Sequence, residues 1–479
     1  MPGSSQAQAS VGEAGVSPAS ARWALAALSL AMLLSSLGIS IANVALPSLA
    51  QAFSAPFQDV RWVVLAYLLS ITTLIVGIGR VGDLIGRRRL LLYGIALFTL
   101  ASAACSAAPA LSWLIAARAV QGVGAAIMMA LTMAFVAGAV AKDRVGSAMG
   151  LLGAMSAIGT ALGPSLGGLL IAGFGWRAVF VIGVPLGLPA FLLAWRHLPP
   201  DRRMPGFSGG AFDVFGAVLL ALTLGAYTLA MTVGRGSFEP LNLVLLLAAL
   251  AGVGLFLAVE TKVASPLIRL AMFREPGLAA GLAMSVLVAT VMMATLVVGP
   301  FHLSGALGLD SARLGLVMTV GPFVAALTGV PAGRIADRFG ATRVTVLGLS
   351  LMAAGCVALS LLPVALGIAG YVAPMALVTA GYALFQTANN TVVMTGVVPE
   401  QRGVVSGMLN LARNLGLVSG ASVMGAIFTL ASAATDVATA SPDAIASGMR
   451  TTFATAALLV ACALAIAIGR RASRTSEIA

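Results

Sequence analysis

Three features of this chain combine residue types and spacings that could do chemistry. The first is a charged turn that occurs twice. GRVGDLIGRR at 79–88 returns as GRIADRFGAT at 333–342, so Gly79, Asp83 and Gly86 recur as Gly333, Asp337 and Gly340, 254 residues on. Glycines let two helices meet closely there. The carboxylate can face the N-terminus of a neighbouring helix, where the macrodipole favours negative charge. Made in one conformation and broken in another, such a contact would latch a rocking assembly, with Arg87, Arg88 and Arg338 beside it. A basic loop that only sets topology is the blander alternative, and the second copy at the same spacing favours the latch. The second feature is Arg118, alone among apolar residues in LIAARAVQGVGAA at 114–126. The third is GLLGAMSAIGTALGPSLGG at 150–168, which puts Gly150, Gly159, Gly163, Pro164, Gly167 and Gly168 into an otherwise helical apolar run. Glycine inside a helix costs about 1 kcal/mol against alanine and proline about 3, so something must offset them.

The solvent explains that choice. The 479 residues are 60% hydrophobic and 9% charged, with mean hydropathy +1.04, whereas a soluble domain carries about 25% charge. Fourteen runs of roughly 20 apolar residues, each enough to cross a bilayer, follow one another from Arg22, the first at 23–45, the tenth at 312–332 and the last at 451–470. In lipid, helix-breaking residues are tolerated where neighbours satisfy the backbone. Gly159, Gly163 and Gly167 recur every fourth residue, a smooth stripe that a second helix can approach. Pro164 should bend the helix.

Charge orients the chain. With both termini cytoplasmic, all of the 27 Lys and Arg fall on the cytoplasmic side except Arg61, Arg177, Arg235, Arg313 and Arg450 outside and Arg118 and Arg413 within spans. That asymmetry is the positive-inside rule, so the net charge of +12 needs no nucleic-acid partner. The expected plan is a cytoplasmic tail at 1–21, a six-helix bundle at 22–200, two linking helices within 201–265, a second six-helix bundle at 266–470 and a tail at 471–479. The cysteines Cys105, Cys356 and Cys462 have neither disulfide nor zinc spacing and read as small buried hydrophobes. Neither a metal nor a cofactor is expected, and no buried nucleophile–base pair suggests an enzyme.

These residues resemble the major facilitator superfamily. Gly79 to Arg88 fits its cytoplasmic signature except that Leu84 stands where a basic residue is usual. Arg118, Gln121 and Gly122 match its fourth-helix signature, and the glycines and proline of 150–168 match the fifth-helix signature of its antiporters. SIANVALP (40–47), WVVLAYLL (62–69), WRAVF (176–180) and LARNLG (411–416) agree as well. Six plus two plus six helices resembles the fourteen-helix drug:proton antiporter branch. The resemblance implies an all-α major facilitator fold, alternating access driven by protons, a role for Arg118 in coupling, and a cell inner membrane location. A monomer is expected, with small molecules, protons and the bilayer as partners.

One position departs from that branch. Helix 1 there usually carries an aspartate five residues before the asparagine that Asn43 matches, and here the residue is Gly38. None of the acidic residues placed along the chain falls in mid-span. A lipophilic cation gains most from a buried negative charge, and a partly desolvated carboxylate is a good proton carrier. The expected cavity instead offers Arg118 and Arg413 with Ser40, Asn43, Tyr67, Gln121, Gln386, Asn389 and Asn390. Its field should be positive, which favours neutral or anionic substrates. The expected function is therefore export of small amphipathic molecules, with narrow transport of one anionic metabolite as the alternative.

Overall fold

The computed structural model describes residues 18–140, 142–201, 213–232, 240–263, 266–361, 363–432 and 441–476. Among them, fourteen helices are long and apolar enough to cross a membrane. The first six are α1 (Pro18–Ala52), α2 (Trp62–Ile85), α3 (Arg87–Ser106), α4 (Leu111–Ala139), α5 (Val145–Phe174) and α6 (Ala178–His197). Two more follow, α7 (Val214–Thr232) and α8 (Pro240–Glu260). The last six are α9 (Pro276–Phe301), α10 (Ser311–Phe339), α11 (Ala341–Leu361), α12 (Gly367–Thr395), α13 (Arg402–Ser432) and α14 (Pro442–Ser476).

Inside a bilayer every backbone group needs a partner within the chain, so an apolar run of this length becomes an uninterrupted helix. Polar residues set the ends. Gly86 turns the chain between α2 and α3 at φ +109°, a backbone conformation that L side chains rarely adopt. The Asp201 carboxylate then accepts the N–H groups of Arg88 (2.8 Å) and Arg89 (3.2 Å) in the first turn of α3. Asp213 caps α7 through the N–H of Gly216 (2.7 Å), and Asp310 caps α10 through that of Arg313 (2.9 Å). Unpaired N–H groups at a helix start are thus satisfied by carboxylates, which the macrodipole also favours.

Packing repeats as the charged turn does. In the first six helices α1 lies on α5 and α6, α4 on α2 and α3, and α3 on α6. In the last six α9 lies on α13 and α14, α12 on α10 and α11, and α11 on α14. The two sets meet through α5 on α10 and α2 on α13. Helix α7 packs on α8, on α2 of the first set and on α13 of the last. Successive spans run antiparallel. One end of the molecule therefore collects Arg87, Arg88, Arg89, Arg144, Arg338 and Arg343, and we call it the basic end.

Several helices outrun the apolar stretches that announced them. Helix α1 continues to Ala52, α10 to Phe339, and α14 starts at Pro442 rather than 451. Hydropathy stops at polar residues, whereas a helix carries on through them into the interface. For the same reason part of the expected tail at 471–479 is helical as far as Ser476, and α1 begins at Pro18. The rest of both expected tails lies outside the described residues. Cys105 and Cys356 are buried but Cys462 is exposed. It lies on the outer surface of α14, where lipid rather than protein covers apolar groups.

Candidate functional site

The repeated turn builds two latches between the first and last six helices. Asp83, at the end of α2, accepts the N–H groups of Gly403 (3.0 Å) and Val404 (3.2 Å), the first turn of α13. Asp337, near the end of α10, accepts those of Gly146 and Ser147 (both 2.8 Å), the first turn of α5, and the Ser147 hydroxyl at 2.5 Å. Each carboxylate thus sits on the positive end of a helix in the other set. The two are not equivalent in charge. Arg87 pairs with Asp83 at 2.8 Å and also donates to the carbonyl of Pro399 across the seam. The matching place after Asp337 is Ala341, and among the described residues Asp337 makes no ion pair. Arg88 and Arg338 are not brought to the latches. Arg88 donates to the carbonyl of Trp195 within its own set (2.5 Å), and Arg338 lies exposed over the Phe339 ring.

Glycines make the approach possible. A Cβ on Gly79 would lie 2.2 Å from the carbonyl oxygen of Gly403, and one on Gly333 would lie 2.4 Å from that of Gly146. Helix α5 uses its glycines on two fronts. Gly146 and Gly150 meet Gly333 and Gly329 of α10 across the seam. Gly159, Gly163 and Gly167 instead lie against Leu33, Ser40 and Ile41 of α1 in their own set. The backbone stays helical through Pro164, and Gly168 meets nothing. Helix α13 copies this division. Gly403 and Gly407 face α2, while Gly416 and Gly420 face α9. The spacing 146, 150, 159, 163 recurs as 403, 407, 416, 420, a sequence signal as clear as the charged turn. Sequence reasoning missed it because the intervening residues differ.

Among the described residues, every hydrogen bond between the first and last six helices lies in the basic half of the molecule. The deepest joins the Asn410 amide to the carbonyl of Met129 at 3.3 Å. Towards the other end the sets are unbonded. Gly315, about four turns along α10 from the glycines that touch α5, meets nothing, and Asn43 on α1 is exposed. Among the described residues the two sets are bonded to each other at the basic end alone.

Arg118 is the charged centre of the first set. It is 1% exposed, and its guanidinium donates from Nε to the carbonyl of Val63 (2.9 Å), from Nη1 to Gln121 (2.5 Å) and from Nη2 to the carbonyl of Gly38 (3.0 Å). Its carbon stands 4.1 Å from the centre of the Tyr67 ring, a cation–π distance. Gln121 passes the chain on to Ser102 at 2.7 Å, and the Tyr67 hydroxyl donates to the carbonyl of Ser35 at 2.9 Å. None of the three ion pairs among the described residues includes Arg118. Its positive charge is held by neutral acceptors. One is the backbone oxygen of Gly38, the position at which the resembling branch has a carboxylate. A cavity of about 20 Å³, room for a single water, lies beside it within the first set, lined by Gly38, Phe98, Arg118, Gln121 and Phe180.

The other expected cavity residues divide. Ser40 bonds the carbonyl of Gly159 at 3.1 Å and ties α1 to α5. Asn389 donates to the carbonyl of Gly281 and to Ser285, both at 3.0 Å, and ties α12 to α9. Asn390 is buried with an unpartnered Oδ1. Arg413 is half-buried with an unpartnered Nε and lies one helical turn from Asn410, which faces the first set. Gln386 is half-buried on α12.

Comparison with known proteins agrees with this geometry. The model of the Major Facilitator Superfamily matches residues 28–421 and 280–477. The chain is 34% identical over 387 residues to the uncharacterized transporter YebQ of Escherichia coli, covering 80% of this chain and 84% of that one. It is 30% identical to the riboflavin transporter RibZ of Clostridioides difficile (82% and 85% covered) and 32% identical to the multidrug resistance protein Stp of Mycobacterium tuberculosis (81% and 72% covered). Among solved structures it resembles the human organic anion transporter MFSD10, with TM-score 0.66 at 16% identity over 93% of this chain and 99% of that one. Two latched six-helix sets with a buried arginine are thus a transporter's architecture rather than an enzyme's, and the chain belongs to the Major Facilitator Superfamily.

Proposed function

We propose that the chain is a secondary active exporter of small amphipathic molecules that works by alternating access and is driven by the proton gradient. It acts as a monomer in the cell inner membrane. The basic end and both termini are cytoplasmic, as the positive-inside rule favours, so the latched state is open to the outside. The observation that carries this reading is the pair of carboxylate latches at one end with no bond between the sets at the other, among the described residues. Relatives named as multidrug resistance and efflux proteins support export.

Substrate preference follows from Arg118. A buried guanidinium satisfied by carbonyls, with no carboxylate partner, gives the core of the first set a positive field. Neutral or anionic molecules are therefore favoured over monovalent cations. The same observation supports a second reading, transport of a single anionic metabolite. The test is accumulation of matched cationic, neutral and anionic compounds in cells with and without the protein, with and without a protonophore. Protonophore-sensitive export of neutral or anionic members is expected. Export confined to cations would overturn the preference, and indifference to the protonophore would overturn the coupling.

A further inference from the structure

The two extra helices meet at their basic ends in a pair of acids. Asp213 stands at the start of α7 and Glu260 is the last residue of α8. Each spends one oxygen on backbone. Asp213 Oδ1 accepts the N–H of Gly216 at 2.7 Å, and Glu260 Oε1 accepts that of Ile268 at 2.6 Å. Their other oxygens, Oδ2 and Oε2, are both buried and neither has a donor. Helices α7 and α8 pack along each other, which brings the start of one beside the end of the other, and the two carboxyls interact. Glu260 as a whole is only 4% exposed, and Asp213 is half-buried.

The surroundings provide no counter-charge among the described residues. From the segment after α8, the backbone N–H groups of Leu267 and Ile268 face Glu260, and from α7 that of Gly216 faces Asp213. Helix α2 packs against α7 through Gly77 and Ala217. Arg80, one turn further along α2, makes no ion pair with either acid, and no other described Arg, Lys or His does. Two ionised carboxylates that interact while each keeps a buried oxygen without a donor repel. A single proton between them turns the repulsion into an O–H···O⁻ hydrogen bond, which is among the stronger kinds.

We propose that Asp213 and Glu260 form a proton-binding site that holds one proton between Asp213 Oδ2 and Glu260 Oε2. The proton enters from water at the basic end and leaves there, with no other group consumed. While it is bound, the start of α7 and the end of α8 are joined, and Glu260 keeps its hold on Ile268 in the segment that leads to α9. When it leaves, like charges part the two helix ends. Helix α7 also bonds the last set further along, through Tyr227 to Ser419 and through the carbonyl of Met231 to Ser422. The site therefore controls the footing of a helix that touches both sets.

The test is infrared titration of the full-length protein in lipid, with Asp and Glu labelled at the carboxyl carbon, and needs no transport assay. The unmodified protein is expected to show a protonated-carboxyl band of about one proton per chain at neutral pH. The band should shift with the isotope label and be absent from both Asp213→Asn and Glu260→Gln. Should either variant fail to fold, absence of the band from the labelled unmodified protein still overturns the proposal. Absence of a label-sensitive band at neutral pH would overturn the proposal, as would its survival in the folded variants. Loss of the band on adding sodium at fixed pH would assign the site to a metal cation and overturn it as well.

Discussion

Gly79→Ala should unlatch the molecule without unfolding it. The new Cβ would stand 2.2 Å from the Gly403 carbonyl oxygen, 2.6 Å from its carbon and 3.1 Å from the Val404 nitrogen. Ordinary contact begins near 3.4 Å, so α13 must retreat by about 1.2 Å, against backbone atoms that cannot rotate aside. Overpacking of this kind costs about 1–3 kcal/mol. The retreat also stretches the bonds from Gly403 and Val404 to Asp83, which are charge-assisted and worth about 1.5–3 kcal/mol each. Alanine gains about 1 kcal/mol of helix propensity, but it does so in both conformations and cancels from the equilibrium between them. A net cost of about 2 kcal/mol to the latched state alone shifts the populations roughly 30-fold. The reporter is Asn43→Cys, at an exposed position, in a background without Cys105, Cys356 and Cys462, reacted with a membrane-impermeant maleimide. Gly79→Ala should slow its labelling, because the unlatched conformation closes the other end. Gly168→Ala, where nothing lies within 4 Å, should leave it unchanged. A folded Gly79→Ala protein that labels at the parental rate would refute the reasoning.

Further expectations follow from the same contacts. Asp337→Asn loses at least one of three accepted bonds and should slow labelling of the Asn43→Cys reporter as Gly79→Ala does. Arg87→Gln removes the cation paired with Asp83 and should slow labelling of the same reporter, whereas raising ionic strength should change labelling little, because the Asp83 side chain is fully buried and Arg87 mostly so. Arg118→Lys cannot reach three acceptors on three elements and strands at least one buried carbonyl, at about 1–3 kcal/mol. A lower Tm together with lost transport is expected, and an unchanged Tm would sink the assignment. Gly38→Asp would set a carboxylate beside Arg118 once Tyr67, whose hydroxyl would lie 2.9 Å from the new Cβ, gives way slightly. Export of lipophilic cations should rise, and unaltered cation accumulation would contradict the positive-cavity reading.

How much of this was legible beforehand depended on whether a residue's role is local. Lipid forces long apolar runs into helices, so fourteen spans and the duplicated turn could be read directly. The macrodipole makes an aspartate beside a partner helix N-terminus a sound inference, and Asp83 and Asp337 both sit that way. Partner choice was not legible. Nothing in the Gly159–Gly163–Gly167 stripe says that it faces α1 while Gly146 and Gly150 face α10, because that depends on how two helices of different sets happen to lie. Asn389 looked like a cavity residue by polarity alone, yet its amide is spent on α9. The pairing of Asp213 with Glu260 was not legible either, because it needed the fold that brings the two ends of an antiparallel pair together.

The most direct test of alternating access is a pair of spin–spin distances measured in lipid across the seam. One pair of labels, at Asn43 and Leu316, reports the open end, and another, at Ile85 and Phe339, reports the basic end; all four residues are exposed. Gly79→Ala, or a change of pH, should shorten the first distance while lengthening the second. If both distances stay fixed, or move in the same sense, the latches are structural fasteners and the two sets do not rock.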